Sequence, residues 1–270
     1  MPEAAAPPGS LLDPRVRGVL SRYTLSSAFL ARGVGEETVR ESGQSLEFHD
    51  FRPYQPGDEL RYVDWNSYAR TGRLYTRLYQ AEANVNLHLL LDTSPSMELG
   101  GKAQWGRLLG EMLAVVGGRA TRTRFHTGAE GAGAVSTLLD FAAGLAPASG
   151  PGLVVFLSDL FDEEPLQRAL VALRARRLDA LFLQTLAPED LDPQPGQWQV
   201  VDAESGEQLE VGPAQVNAYR QAVDGFIARL RAQVRSAGYR HLVARVPDGE
   251  RPVQQEALRL LTESGILRRR

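Results

Sequence analysis

Three short runs frame this chain: Asn86–Asp92 (NLHLLLD), Gly152–Asp159 (GLVVFLSD) and Asp179–Leu186 (DALFLQTL), each almost continuously apolar. Strands apolar on both faces belong in the middle of a parallel sheet covered by helices. Between the runs the apolar spacing lengthens to that of a helix at Trp105–Val116, Val135–Leu145 and Pro165–Arg176. This alternation predicts a doubly wound, mostly parallel α/β sheet of Rossmann-like type. Gln197–Val201 and Glu207–Val211, joined by Asp202–Gly206, read as a β-hairpin. Val216, Tyr219, Val223, Phe226, Ile227, Leu230 and Val234 then fall at helical spacing over Pro213–Ser236, with Gly238 as terminator. His241–Val246 supplies the last strand and Val253–Glu263 the last helix.

Upstream the rhythm differs. Residues 1–12 read as a frayed start, and Asp13–Ala31 as a short helix. Gly33, Gly35 and Gly43 then bracket a polar stretch. From Ser45, Leu46, Phe48 and Phe51 are interspersed with polar residues. Gln55-Pro56-Gly57-Asp58 fits a type II turn, and Leu60–Trp65 and Arg73–Gln80 are rich in β-formers. The expected organisation is a tail with a short helix (1–34), a β-rich N-terminal appendage (35–84) and the α/β domain (85–270).

Composition narrows the classes. A chain of 270 residues, 43% hydrophobic and 23% charged, has an ordinary globular make-up. A net charge of -3 argues against a general nucleic-acid binder, which needs a clustered basic excess. The arginines of Arg52–Arg77 are interrupted by acids, and Arg268–Arg270 is a short terminal cluster. With no cysteine there is no disulfide, thiolate nucleophile or Cys-ligated zinc. Met1–Pro8 does not have the pattern of a secretory signal, and no apolar run approaches the roughly 20 residues that span a bilayer. The expectation is a cytoplasmic protein without membrane insertion.

The chemistry concentrates at Asp92-Thr93-Ser94-Pro95-Ser96, where the first central strand ends. Open α/β sheets bind ligands at such strand ends. One carboxylate and two hydroxyls on a tight loop are hard oxygen donors suited to Mg²⁺, Mn²⁺ or Ca²⁺. Asp159 closes another central strand and can face the same crevice. Such a set leaves coordination positions open to water or to a ligand's carboxylate. The competing reading is structural, with Asp92 capping a helix and the serines bonding local backbone. The histidines His49, His88, His126 and His241 are too scattered for a metal cluster, and Gly100-Gly101-Lys102 reads as a turn, not a phosphate loop. A phosphatase-like hydrolase using Asp92 would need an acid two residues on, where Ser94 stands. A serine nucleophile would need a positioned base, and none is recognisable. The expected activity is binding, not catalysis.

Further residues carry a resemblance. Glu47-Phe48, Arg52-x-Tyr54-x-Pro56-Gly57-Asp58, Arg61-x-x-Asp64-Trp65, Ala69-Arg70 and Leu91-Asp92-x-Ser94-x-Ser96-Met97 together resemble the signature of the bacterial "domain of unknown function 58" proteins. The similarity runs from about residue 35 to the end. Asp92-x-Ser94-x-Ser96 with Asp159 is similar to the metal-ion-dependent adhesion site of von Willebrand factor A domains. The resemblance implies a von Willebrand factor A-like fold and a divalent ion, with Asp92, Ser94, Ser96 and Asp159 as ligands. It also implies a protein partner, a MoxR-type AAA+ ATPase or its client, with the chain as adaptor or chaperone cofactor. The pattern departs at one point. Adhesion sites take a threonine from a loop between the two acids, but only about 18 residues separate the helices near Val116 and Val135. Gly118–Phe125 leaves room for one strand, and Thr127, Ser136 and Thr137 are the candidates, with Thr127 favoured. The segment Arg52–Arg73 reads as scaffold before docking face. Asp58 and Asp64 would pair with nearby arginines, while Tyr54, Tyr62 and Trp65 pack.

Overall fold

The computed structural model describes residues 10–30, 46–54, 63–81, 85–118, 121–129, 132–145, 152–161, 166–193, 198–201, 208–249 and 251–270. The expected turns at Gln55–Asp58 and Asp202–Gly206, and Asp58, Tyr62, Gly33, Gly35 and Gly43, lie outside them. The chain forms two units, one from residues 1–35 with 85–270 and the other from 36–84.

In the larger unit, the N-terminal segment is not the single helix that its sequence suggests. Helix α1 (Pro14–Leu20) is opened by Asp13, whose carboxylate accepts from Arg15 N at 2.7 Å, with proline at its first turn. It ends at Ser21. Tyr23–Leu25 then forms strand β1, followed by the short α2 (Ser27–Leu30). An aromatic and a β-branched residue favour the strand, and a partner fixes it: the C-terminal strand Leu267–Arg269 pairs with β1 antiparallel. Residues before α1 are also anchored, since Ser10 Oγ and Leu11 N both donate to Glu111 Oε2.

The smaller unit holds β2 (Leu46–Pro53) and β3 (Tyr75–Ala81), paired antiparallel, and helix α3 (Trp65–Thr71). The strand expected to reach Trp65 gives way to a helix there. Asp64 explains the switch, because its carboxylate accepts from Ser67 N and its carbonyl from Tyr68 N. Trp65 and Tyr68 meet edge-to-face, 6.3 Å apart.

The α/β core is a five-stranded parallel sheet. Its strands are β4 (Val85–Leu91), β5 (Thr121–Thr127), β6 (Gly152–Ser158), β7 (Leu178–Leu186) and β10 (Arg240–Arg245), in spatial order β10-β7-β6-β4-β5. The helices between are α4 (Lys102–Gly117), α5 (Ala134–Gly144), α6 (Leu166–Ala175) and α8 (Pro213–Ser236), with the short α7 (Pro188–Leu191) after β7. The hairpin β8 (Trp198–Val201) and β9 (Gln208–Val211) precedes α8, and α9 (Val253–Glu263) precedes β11 (Leu267–Arg269).

Both faces of the sheet are buried. Leu90, Val154, Phe156, Ala180 and Phe182 pack under residues of α5, α6 and α8 such as Leu138, Leu170 and Val234. On the other side, Leu87, Leu91, Phe125 and Leu157 lie against α4. This double burial is why the strand sequences read as unbroken apolar runs. The connection from β4 leads out to β5, and the chain then crosses back over β4 to β6. The loops after β4 and β6 therefore diverge, leaving a crevice at the carboxyl ends of these two strands. No described helix is long and apolar enough to cross a membrane.

Candidate metal centre

Register builds this site. Leu91 pairs with Leu157 across β4 and β6, and Asp92 N donates to Leu157 O at 2.9 Å. Asp92 and Asp159, each one residue past its strand, therefore end on neighbouring loops. Asp92 is 1% exposed, and its two oxygens are held from opposite sides. Ser94 N donates to Oδ1 at 2.9 Å, and Ser158 Oγ donates to Oδ2 at 2.6 Å. The Oγ atoms of Ser94 and Ser96 lie 3.1 Å apart. Burial pushes the Asp92 carboxyl upward, and the Asp159 charge adds to this; the bonds from Ser158 and Ser94 oppose it. No basic side chain pairs with Asp92 among the described residues.

The neighbouring acid is treated differently. Asp159 Oδ2 receives Lys102 Nζ at 2.8 Å, with both side chains almost fully buried. The same ammonium reaches Asp190 Oδ2 at 3.3 Å. Phe161 N donates to Asp159 Oδ1, and Gln184 Nε2 to its carbonyl at 2.9 Å. Gln184 is in turn 3.0 Å from His241 Nε2. Lys102 thus ties together the loops that follow β4, β6 and β7. Leu160, next in the chain, takes a left-handed φ of 58°, costly for a side chain with a Cβ. The bond from its own N–H to Ser158 Oγ helps hold it there.

The third loop arrives through Gly128. Its N–H donates to Leu91 O, and a Cβ there would stand 2.5 Å from Thr137 Oγ1 and 3.1 Å from Thr93 Oγ1. Only glycine lets the three loops close up. Thr137, one turn into α5, is buried, and its hydroxyl has no partner among the described residues. A buried hydroxyl without a hydrogen bond is costly, and Thr137 keeps that hydrogen-bonding capacity unused among the described residues. Thr127 ends β5 and is exposed, and Ser136 is half-buried on α5. The structure therefore gathers Asp92, Ser94 and Ser96 on one loop, puts Thr137 against Gly128 of the next, sets Asp159 beside Asp92 in a bond to Lys102, and leaves Thr127 at the surface.

Sequence reasoning passed over Ser158, Lys102, Asp190 and Gln184. Ser158 hides inside an apolar run. Lys102 carried a signal, since a cation in the first turn of a helix opposes the macrodipole and needs a reason. Gly100 and Gly101, both at positive φ, form the turn that puts it there. A cleft of about 820 Å³ lined by Trp105, Val243, Arg251, Glu256 and Leu260 lies elsewhere, without Asp92, and Glu256 already pairs with Arg251 and Arg259.

The donor set is hard oxygen throughout, and it fits a divalent ion such as Mg²⁺ or Mn²⁺. Among the described residues no three His, Asp or Glu side chains cluster, so any such ion would lean on hydroxyls.

Residues 50–139 match the family described as "Protein of unknown function DUF58". The matched third of the chain runs from β2 through the Asp92–Ser96 loop to Thr137. The chain is also similar to uncharacterized proteins of Mycobacterium bovis and Mycobacterium tuberculosis. Each is 25% identical over 270 residues, covering 85% of this chain and 84% of the relative. No solved structure matches the chain significantly.

Proposed function

We propose that this chain is a non-enzymatic, divalent-metal-dependent protein-binding module with a von Willebrand factor A-like α/β fold. One observation carries the reading: Asp92 is a buried carboxylate at the switch point of the sheet, without a basic partner among the described residues, while its neighbour Asp159 has Lys102. A buried carboxylate that stays ionised needs a cation, and the hydroxyls on the same loop favour a hard one. Asp92, Ser94, Ser96 and Thr137 would hold the ion. Asp159 would contribute its charge from behind, its carboxylate being engaged by Lys102. When bound, the ion supplies a positive centre with open positions, suited to a carboxylate from a partner protein. Leu99, 55% exposed on the 3-10 turn after Ser96, offers an apolar contact at the rim.

Hydrolysis is the weaker reading. Ser94 occupies the place of the proton-donating acid, and Lys102 is committed to two carboxylates. The resemblance to the bacterial family suggests the partner, a MoxR-type AAA+ ATPase or its client. The test is the affinity for that ATPase at fixed ionic strength with Mg²⁺, with chelator, and in Ser94→Ala with Ser96→Ala. Binding lost in the last two conditions supports the metal bridge. Binding unchanged in both, but weakened steadily by salt, points to surface charge alone.

A further inference from the structure

The outer flank of β5 is a built surface that the metal centre does not use. β5 is the end strand of its sheet, paired with β4 along one side. Gly128 N–H points to Leu91 O on β4. Backbone groups alternate in direction along a strand, so residues 122, 124 and 126 also bond toward β4. Thr121, Thr123, Phe125 and Thr127 turn their N–H and C=O groups outward, and among the described residues these groups have no hydrogen-bond partner. Side chains alternate too. Thr121, Thr123 and Phe125 lie toward α4, where they face Gly117 and Gly110. Arg122, Arg124 and His126 lie on the opposite face, and His126 packs there against Phe141 of α5. Both arginines are exposed, and neither forms an ion pair among the described residues.

An open edge of this kind is a template for an added strand. Its charges select the strand. A second copy of the same edge would set arginine against arginine, and like charges across a ladder are destabilising. A strand with carboxylates at alternate positions gains cross-strand ion pairs as well as backbone hydrogen bonds. We propose that β5 takes an extended, acidic segment of a partner protein, which joins the sheet through Thr123, Phe125 and Thr127 and sets its carboxylates against Arg122 and Arg124.

The surface is separate from the metal centre, so the test runs in chelator, where failure of the metal reading has no effect. The probe is an acetylated, amidated octapeptide alternating glutamate and threonine, titrated into the ¹⁵N-labelled full chain. Saturable shifts and slowed exchange are expected at the amides of Thr123, Phe125 and Thr127. Arg122→Glu with Arg124→Glu, two exposed changes, should weaken binding about tenfold or more and favour a lysine–threonine octapeptide instead. Thr123→Pro deletes one outward N–H while leaving the β4 ladder intact, and should weaken binding with the circular dichroism spectrum unchanged. Absence of saturable shifts at the outward amides would overturn the proposal. So would equal binding of the acidic and basic peptides, or self-association of the chain through β5.

Discussion

Two buried carboxylates stand side by side at the carboxyl ends of β4 and β6, and they are compensated in opposite ways. Asp159 has its cation built in. Lys102 reaches it at 2.8 Å and reaches Asp190 at 3.3 Å, cross-linking three loops. Asp92 has, among the described residues, hydrogen bonds from Ser94 and Ser158 and no basic partner, and burial raises its pKa. The difference separates structure from function. A carboxylate that carries its own ammonium is part of the frame, whereas one held by hydrogen-bond donors, with no basic partner among the described residues, is where we propose that an external ion binds.

Breaking the internal pair should have the largest effect. Lys102→Met leaves Asp159 buried without a cation and is expected to cost about 3–5 kcal/mol in urea denaturation. Adding Asp159→Asn should recover much of that loss, since the two residues act as a unit. A cost below about 1 kcal/mol would dissolve the contrast between the two acids.

Ser158→Ala sharpens the other side. It removes the 2.6 Å bond that orients Asp92 and is expected to lower Mn²⁺ affinity about 10–100-fold, read by calorimetry. The effect on folding should be smaller than that of Lys102→Met.

The pH dependence then separates the buried groups by sign. Asp92 has a raised folded pKa, so its contribution is fully present below the ordinary value of 3.8 and is lost as pH rises through the folded value. Metal-free Asp92→Asn should therefore be more stable than wild type at neutral pH, and the gap should close in acid. Mg²⁺ should reverse the order at neutral pH, because the ion binds the ionised form. His88 behaves oppositely. Burial, with His126 and Arg124 nearby, lowers it to about 4, so its contribution is present above 6.5 and is lost as pH falls toward about 4. His88→Phe should flatten that acid limb in thermal melts.

The smallest expected effect discriminates two threonines. Thr137→Val removes a buried hydroxyl that has no partner, so stability should hold or rise by up to about 1 kcal/mol while metal affinity falls several-fold. Thr127→Val, at an exposed site, should change neither.

The core was legible in the sequence for a physical reason. Strands buried on both faces cannot disguise their composition, and Gly152–Ser158 announces itself by seven consecutive buried residues. The long helix Pro213–Ser236 was legible because its apolar spacing and its terminator Gly238 agree. The N-terminus was not. Tyr23–Leu25 is a strand only because Leu267–Arg269, at the other end of the chain, pairs with it. The Asp64 cap likewise outweighed the β-formers around Trp65. At the site, Asp92, Ser94 and Ser96 were legible as one motif, being local in sequence. Lys102, Asp190 and Ser158 came from three different loops, and no spacing rule joins them. Thr127 and Thr137 could be separated only once β5 and α5 were placed, because what distinguishes them is burial: Thr127 is exposed and Thr137 is not.

The proposed role of Asp92, which has no basic partner among the described residues, is to anchor a divalent ion. Calorimetric titration of Mn²⁺ into wild type and into Asp92→Asn, both checked for native circular dichroism, tests it most directly. Saturable heat at one ion per chain is expected in wild type and none in the variant; indistinguishable heats from the two would remove Asp92 from the site.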